Sequence, residues 1–239
     1  LVPSRLNEYP VGTTSASDVA SVGTGLVAAS IVSGGAADSV LTTAGPGTLV
    51  FGQNGSFNNT YVGRWVLGAA TNRLSGATAF GTGANVNINA GAILDLTPLG
   101  AVAFAPTTTG FGGSGTGAAV GSSAATVISD PSGSLDLTGK AINLNFNPLS
   151  FSGDLTRPAL YVAQGGLTLS GNTFFINNTS GTPLGVGTYR LISSVSSITS
   201  GGGYAALISG SGAVGGSSAA IVVSGGNVDL ARYAQLLAP

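Results

Sequence analysis

Three aspartates occupy nearly the same local sequence and are the first candidates for chemistry. Asp95 and Asp136 each stand in the tetrapeptide LDLT, and Asp229 stands in VDLA. Two carboxylates held near each other can act as acid and base in the hydrolysis of a glycosidic bond. A repeated context also fits outward-facing residues of equivalent β-strands, which keep a sparsely charged surface soluble. We favour this second interpretation and predict no catalytic residue.

Other catalytic and metal-binding groups are scarce in the chain. It has no histidine and no cysteine, so the usual general base, the commonest metal ligand and the thiolate nucleophile are all missing. Asp and Asn oxygens suit calcium, but the sequence contains neither an EF-hand loop nor a GGxGxD nonapeptide. The sequence therefore predicts a protein that is not an enzyme and that binds no cofactor and no metal.

Aromatic side chains are a second candidate set, because they can stack on sugars. They share no common spacing, which favours roles in the core or in subunit contacts. One pair, Tyr189-Arg190, follows a Gly-rich turn in GTPLGVGTYRLISS. Gly185 and Gly187 predict a corner before a strand TYRLI, with Tyr189 and Leu191 facing the core and Arg190 facing solvent. The aromatic candidates are Tyr61, Trp65, Phe104, Phe111, Tyr161, Tyr189 and Tyr204.

Four asparagines stand in the tripeptide pattern that accepts N-linked glycans in a eukaryotic secretory route. In a chain this rich in Gly, Asn and Ser the pattern also arises by chance, and we favour structural roles at corners. The four are Asn54, Asn58, Asn177 and Asn178.

Composition and charge exclude several classes of function. Only 6% of the 239 residues are charged, 40 are glycine, and the formal net charge is −1. Lys140 is the only lysine and the arginines are scattered singly, so no basic groove for nucleic acid is expected. No apolar run reaches the roughly 18 residues that a membrane-spanning helix needs. The start at Leu1, in LVPSRLNEYP, is interpreted as a mature terminus left after removal of a signal peptide.

Alternating apolar and polar residues predict an all-β fold. In NVNINAGAILDLT, at 85–97, the apolar residues share one parity and the asparagines the other. The segments SLDLTGKAINLNFNP and GGLTLSGNTFFINN each predict two strands joined by a tight corner, at 138–140 and 170–172. No stretch shows sustained helical spacing of apolar residues.

The same pass along the chain divides it into three parts. Residues 1–24 lack clear alternation and are predicted to form an N-terminal arm. Residues 25–230 are predicted to form a single β-rich domain, with a Gly/Ser/Thr-rich insertion at 103–126. Residues 231–239, ending at Pro239, are predicted to form a C-terminal tail.

A family resemblance rests on three segments. The segment GTLVFGQNGSFNNTYVGRWVLGAATNRLSGATAFGTGANVNINAGAILDL, at 47–96, resembles the autotransporter-associated β-strand repeat. Further on, LTLSGNTFFINNTSGTPLGVGTYRLISS and AAIVVSGGNVDL resemble the C-terminal end of large secreted bacterial proteins that bear such repeats. The resemblance implies a secreted or surface-exposed bacterial protein with a parallel β-solenoid fold. The residue pattern alone leaves an antiparallel β-sandwich or jelly roll as the alternative.

These observations together predict a structural subunit of an extracellular bacterial assembly, a filament or surface layer that associates with itself. Few charges and many small residues suit a surface that is buried in a polymer. One version places Gly25–Val40 as a strand donated to the neighbouring subunit. The alternative is a surface-displayed, passenger-like adhesin or carbohydrate-binding module that contacts surface glycans.

Overall fold

The computed structural model describes most of the second half of the chain continuously and the first half as separate segments. The described residues are 18–20, 24–27, 40–44, 47–51, 63–68, 71–76, 80, 85–100, 102–103, 108–113, 124–203 and 205–210. Within them the protein is all-β and has almost no helix. A single 3-10 helix, Thr97–Leu99, interrupts the described strands.

The described strands form three sheets of eight, seven and four strands. The eight-stranded sheet contains, in order, β1 (Asp18–Ala20), β3 (Val40–Ala44), β5 (Arg64–Leu67), β7 (Asn85–Ile88), β10 (Thr108–Gly113), β13 (Ala141–Phe146), β16 (Thr173–Asn178) and β19 (Ala205–Gly210). The seven-stranded sheet contains β17 (Ile192–Ser194), β14 (Leu160–Gln164), β11 (Ala125–Ile128), β8 (Ile93–Asp95), β6 (Thr71–Leu74), β4 (Thr48–Phe51) and β2 (Thr24–Val27). The four-stranded sheet contains β18 (Ile198–Ser200), β15 (Gly166–Leu169), β12 (Ser134–Asp136) and β9 (Val102–Ala103).

Every pairing between described strands is parallel, and each strand pairs with the strand one circuit of the chain before or after it. A circuit is the stretch of chain from one strand to the strand that pairs with it in the same sheet. Early circuits pass through two sheets, and Arg73 and Asp95, which pair in register on adjacent strands, are 22 residues apart in sequence. From β9 onward each circuit also passes through the four-stranded sheet. Asn145 and Asn177, paired in the same way, are therefore 32 apart. An antiparallel arrangement does not describe these strands.

Alternating residues of the strands point into a shared core. In β13 the residues Ile142, Leu144 and Phe146 are buried while Asn143 and Asn145 are partly exposed, as their parity predicts. Equivalent positions of successive circuits stack in register, so each apolar row continues from strand to strand. Where burial is described, as in β5, β7, β13 and β16, this stacking places apolar side chains of adjacent circuits against each other, and their burial stabilises the fold.

The two predicted corners at 138–140 and 170–172 are present and join strands of different sheets. Gly139 has a φ of 68° and Gly171 a φ of 61°, a region that residues with a Cβ rarely adopt. The predicted strand TYRLI starts later than expected. Tyr189 makes an isolated bridge, and the regular strand begins at Ile192.

Two predicted segments contain strands that the sequence pattern did not reveal, and a third contains a strand with a different partner from the one proposed. The predicted insertion at 103–126 includes β10, which pairs with β7 and β13 inside the eight-stranded sheet. The predicted arm at 1–24 includes β1, which pairs with β3. The segment Gly25–Val40 overlaps β2, which pairs with β4 of its own chain. The tail at 231–239 lies outside the described residues.

Candidate functional site

Asp95 lies at the end of β8 and is held by three groups. Arg73 Nε lies 2.6 Å from one carboxylate oxygen, and the other oxygen accepts hydrogen bonds from Thr97 N at 3.0 Å and Thr97 Oγ1 at 2.7 Å. Arg73 and Asp95 pair in register on adjacent strands. The Asp95 side chain is 3% exposed and that of Arg73 47% exposed. The expected solvent-facing aspartate is therefore wrong at this position, because Arg73 and Thr97 cover the carboxylate.

The electrostatics of Asp95 do not suit a general acid. Burial, the largest single influence, raises the pKa of this carboxyl group. The hydrogen bonds from the Thr97 hydroxyl and backbone, together with Arg73, outweigh burial and lower the pKa below its usual value. The carboxylate stays ionised and occupied by structural partners, whereas a general acid needs a proton at neutral pH.

Asp136, the proposed partner of Asp95, lies in another sheet. Asp136 ends β12 of the four-stranded sheet, and its carboxylate accepts a hydrogen bond from Thr138 N at 2.9 Å. Asp95 ends β8 of the seven-stranded sheet. Both carboxylates cap the turn that follows their own strand, which is the common role of Asp two residues before Thr. Asp229 lies outside the described residues.

Asp154 accepts more hydrogen bonds than any other carboxylate among the described residues, although it was not among the predicted candidates. It accepts hydrogen bonds from Leu149 N at 2.6 Å and from the nitrogen and hydroxyl of Thr156, both at 2.7 Å. Arg157 N also donates to this carboxylate. The available signal was the triplet Asp-Leu-Thr, which recurs at 154–156 as it does at 95–97 and 136–138.

The pKa of Asp154 is lowered for a related reason. Burial is again the largest influence and raises the pKa of this carboxyl group. The bonds from the Thr156 hydroxyl and from the backbone nitrogens of three residues outweigh burial and lower the pKa. Asp154 thus ties together one corner of the chain between β13 and β14, which is a structural role.

Tyr189 belongs to the same corner, one circuit later. Its hydroxyl donates to Phe151 O at 2.6 Å and lies 3.1 Å from Gly185 O. The ring packs edge-on against Phe146, with centroids 5.8 Å apart. Arg190 is exposed, as predicted, and its backbone nitrogen donates to Asp154 O at 2.8 Å. The Tyr189-Arg190 pair is thus part of the architecture of the corner.

Glycines allow the two corner segments to lie in direct contact. A Cβ on Gly187 would lie 2.4 Å from Ser152 backbone atoms, and a Cβ on Gly185 would lie 2.6 Å from Phe151 O. Asp154 N donates to Thr188 O at 2.9 Å across the same contact. These glycines are needed for close approach of two backbones.

The aromatic candidates separate into buried and partly exposed residues. Trp65 is 2% exposed, contacts Phe51 and Phe80, and donates its ring N–H to Phe80 O at 3.1 Å. Phe111 shares a register position with the buried residues Ile88 and Leu144. Tyr161 and Tyr189 are partly exposed. The remaining candidates, Tyr61, Phe104 and Tyr204, lie outside the described residues.

Two of the four sequon asparagines fall within the described part of the chain. Asn178 is buried, accepts from Ser180 N and Oγ at 3.1 and 2.6 Å, and donates to Thr182 O at 2.6 Å. This corner role matches the interpretation that we favoured. Asn177 is partly exposed and donates to Asn145 Oδ1 at 3.2 Å. Asn54 and Asn58 lie outside the described residues.

Amide side chains also join successive circuits, a role that the sequence analysis did not assign. Asn172 is buried, and its Nδ2 lies 2.5 Å from Leu137 O and 3.1 Å from Lys140 O. Its Oδ1 accepts from Ser170 N at 2.9 Å. One asparagine therefore adds a second hydrogen bond to each of two carbonyl groups, which also accept from Lys140 N and Thr173 N, and ties its own corner to the one before it.

The described residues contain no group of three or more acidic side chains that could hold a metal ion. No helix in the described ranges has the length and apolar character needed to span a membrane. Comparison with protein-family models, curated proteins and solved structures gives no match to this chain.

Proposed function

We propose that this chain is a structural subunit of an extracellular bacterial filament or surface layer, and that its circuits constitute a parallel β-solenoid. The resemblance of residues 47–96 to autotransporter-associated repeats supports the cellular setting. Parallel pairing between successive circuits supports the solenoid. Few charges suit a surface that other copies cover.

The observation that carries the proposal is the one-sided pairing of β1 and β2. Among the described strands, each is the last of its sheet and pairs only with the next circuit, β1 with β3 and β2 with β4. An edge strand has backbone N–H and C=O groups directed away from its partner, and these can pair with a strand of another copy. Head-to-tail contacts of this kind build open filaments.

This arrangement changes the proposed role of Gly25–Val40. Donating the whole segment to a neighbour would require β2 to leave β4, with loss of the pairing of Gly25 with Leu49 and of Val27 with Phe51. Stacking a second copy against the outer edge of β2 keeps this pairing. We therefore favour edge-to-edge stacking over strand donation.

The carboxylates support a structural role and not a catalytic one. Asp95, Asp136 and Asp154 each accept hydrogen bonds from the turn that follows them in sequence. Asp95 and Asp154 have lowered pKa values. Hydrogen bonds of this kind stabilise the turns in which they lie.

A pair of matched variants tests the proposal. Thr24, Thr48 and Thr71 occupy one row of the seven-stranded sheet, on β2, β4 and β6. T24K places a charge on the edge strand, and T48K places the same charge on an interior strand. We expect sedimentation velocity to show polymers for the native protein and T48K but monomers for T24K. Equal assembly of the two variants, or a native protein that stays monomeric at high concentration, would remove the stacking proposal.

A carbohydrate-binding module is the second candidate, and one specific surface favours it. Asn143, Asn145 and Asn177 lie beside Phe175 on the outer face of β13 and β16, where Asn143 pairs in register with Phe175. Amides can bond sugar hydroxyls, and an exposed ring can stack on a pyranose. Trp65 cannot take part because it is buried. Glycan-array binding that is lost in F175A and N143A would support this function, and an array without reproducible binding would remove it.

A further inference from the structure

Three apolar side chains are exposed on the corner formed by residues 149–157 and 184–190, which we call the corner knob. Val186 is 95% exposed, Leu149 64% and Leu155 49%. They are three of the five large apolar residues that are exposed in the described part of the chain. Single exposed apolar residues are common, but three on two segments whose backbones are in contact concentrate apolar surface at one corner, and such concentrations mark interaction surfaces.

The corner knob holds these side chains in place by backbone contacts. Gly185 N donates to Phe151 O at 2.7 Å, on one side of Val186. On the other side, a Cβ on Gly187 would lie 2.4 Å from Ser152 backbone atoms. Val186 is therefore presented between two glycines that are packed on the preceding circuit. Its side chain remains 95% exposed.

The charged groups of the corner knob are predominantly cationic. Arg190 is exposed, and its backbone nitrogen donates to the carbonyl oxygen of Asp154, the residue before Leu155. Arg157 is two residues beyond Leu155 and is partly exposed, with its Nε buried, so only the outer part of its guanidinium group can reach a ligand. The single ion pair of the described residues joins Arg73 and Asp95 elsewhere. Asp154, the acid of the knob, is buried and bonded to backbone and hydroxyl groups.

Exposed apolar side chains flanked by arginines have the chemistry of a peripheral membrane contact. Aliphatic groups enter the boundary between headgroups and acyl chains, while guanidinium groups bind lipid phosphates. We propose that the corner knob docks on an anionic lipid surface, with Val186, Leu149 and Leu155 entering the interface and Arg190 and Arg157 facing the phosphates. This contact holds the protein at the membrane surface without spanning the bilayer, and it does not depend on self-association.

Vesicle co-sedimentation of the full chain tests this proposal. Vesicles of phosphatidylglycerol with phosphatidylcholine supply the anionic surface, and vesicles of phosphatidylcholine alone supply the neutral one. We expect binding to the anionic vesicles that weakens about tenfold in V186S and about fivefold in R190Q. Raising the salt concentration should also weaken it, because salt screens the contact between arginine and phosphate.

Two matched variants control for general changes at the surface. V195S removes a valine that is 59% exposed outside the knob, and K140Q removes a cation from a different corner; both should bind as the native protein does. Circular dichroism of every variant checks that the fold is retained. The proposal is overturned by any of three results: no binding to anionic vesicles, equal binding of V186S and V195S, or knob-dependent dimers that form without lipid and do not bind vesicles.

Discussion

The hydroxyl of Tyr189 lies 2.6 Å from the carbonyl oxygen of Phe151, although the two residues are 38 apart in sequence. The bond joins equivalent corners of two successive circuits, at the point where Gly185 and Gly187 bring the backbones together. Corners of a parallel stack have no regular ladder of backbone bonds, so side chains add to the scattered backbone bonds there, such as that from Asp154 N to Thr188 O. Tyr189, Asp154 and Asn172 do so in this protein.

Replacing Tyr189 by phenylalanine should remove this bond while keeping the ring against Phe146. We expect Y189F to lower the free energy of unfolding by about 1 kcal/mol and Y189A by about 3 kcal/mol, because the alanine variant also loses the packing of the ring. Urea unfolding measures both. Y161F serves as the control, since Tyr161 is also partly exposed but lies on a regular strand; equal effects of Y161F and Y189F would contradict the assigned bond.

Gly165 and Gly171 separate the effect of a clash from the effect of backbone conformation. Both have a positive φ, 80° and 61°, but a Cβ on Gly165 would lie 1.8 Å from Ser129 Oγ, whereas a Cβ on Gly171 meets nothing within 4 Å. We expect G171A to cost about 1 kcal/mol and G165A to cost about 3 kcal/mol or more. The same Cβ on Gly165 would lie 2.8 Å from the backbone oxygen of Asp130. Thermal unfolding of the two variants checks the order, and a G165A variant as stable as G171A would show that residues 129–130 do not lie so close to Gly165.

Asn172 should contribute more to stability than the asparagines on the outer face of β13. N172A leaves the carbonyl groups of Leu137 and Lys140 without this partner, and we expect a loss of about 3 kcal/mol. N143A, on a partly exposed position, should change stability by less than about 0.5 kcal/mol. Chemical denaturation of both proteins provides the comparison. Losses of similar size would mean that Asn172 does not join the two corners.

Acid should destabilise the protein through Asp154 and Asp95. Their pKa values are lower in the folded state than the usual value of 3.8. Their contribution to stability is therefore present above about pH 4 and is lost as the pH falls through the lower folded values. We expect the urea concentration at the midpoint of unfolding to decrease when the pH is lowered from 6 to 3. The decrease should be smaller in D154N and intermediate in T156V. A fall of unchanged size in D154N would contradict the assigned role of this carboxylate.

The sequence predicted the strands with regular alternation, and the structure has them. The residues 85–88 and 141–146 alternate between core and surface as their parity indicates. β10 was missed because its sequence, TTGFGG, carries glycines where other strands carry asparagines, and glycine gives no signal of strand or face. The parallel pairing was expected only from the family resemblance, since alternation is the same in parallel and antiparallel sheets when one face is wet.

The candidate site was harder to predict for a physical reason. The position of the aspartate in LDLT is the same whether its side chain faces water or lies beneath another side chain. Asp95 lies beneath Arg73, which is 22 residues away in sequence. The partners of Asp154 include Leu149 and Thr156, and only the recurring Asp-Leu-Thr triplet pointed to them. Contacts between circuits depend on the length of each circuit, which residue patterns do not encode.

Cryo-electron microscopy of the assembled native protein is the most direct test of the central claim, that copies extend one parallel stack. We expect filaments whose strands run across the filament axis with a spacing of about 4.8 Å along it. The eight strands of the largest sheet then give a rise of at least about 38 Å for each subunit. Discrete monomers, or filaments whose strands run parallel to the axis, would contradict it.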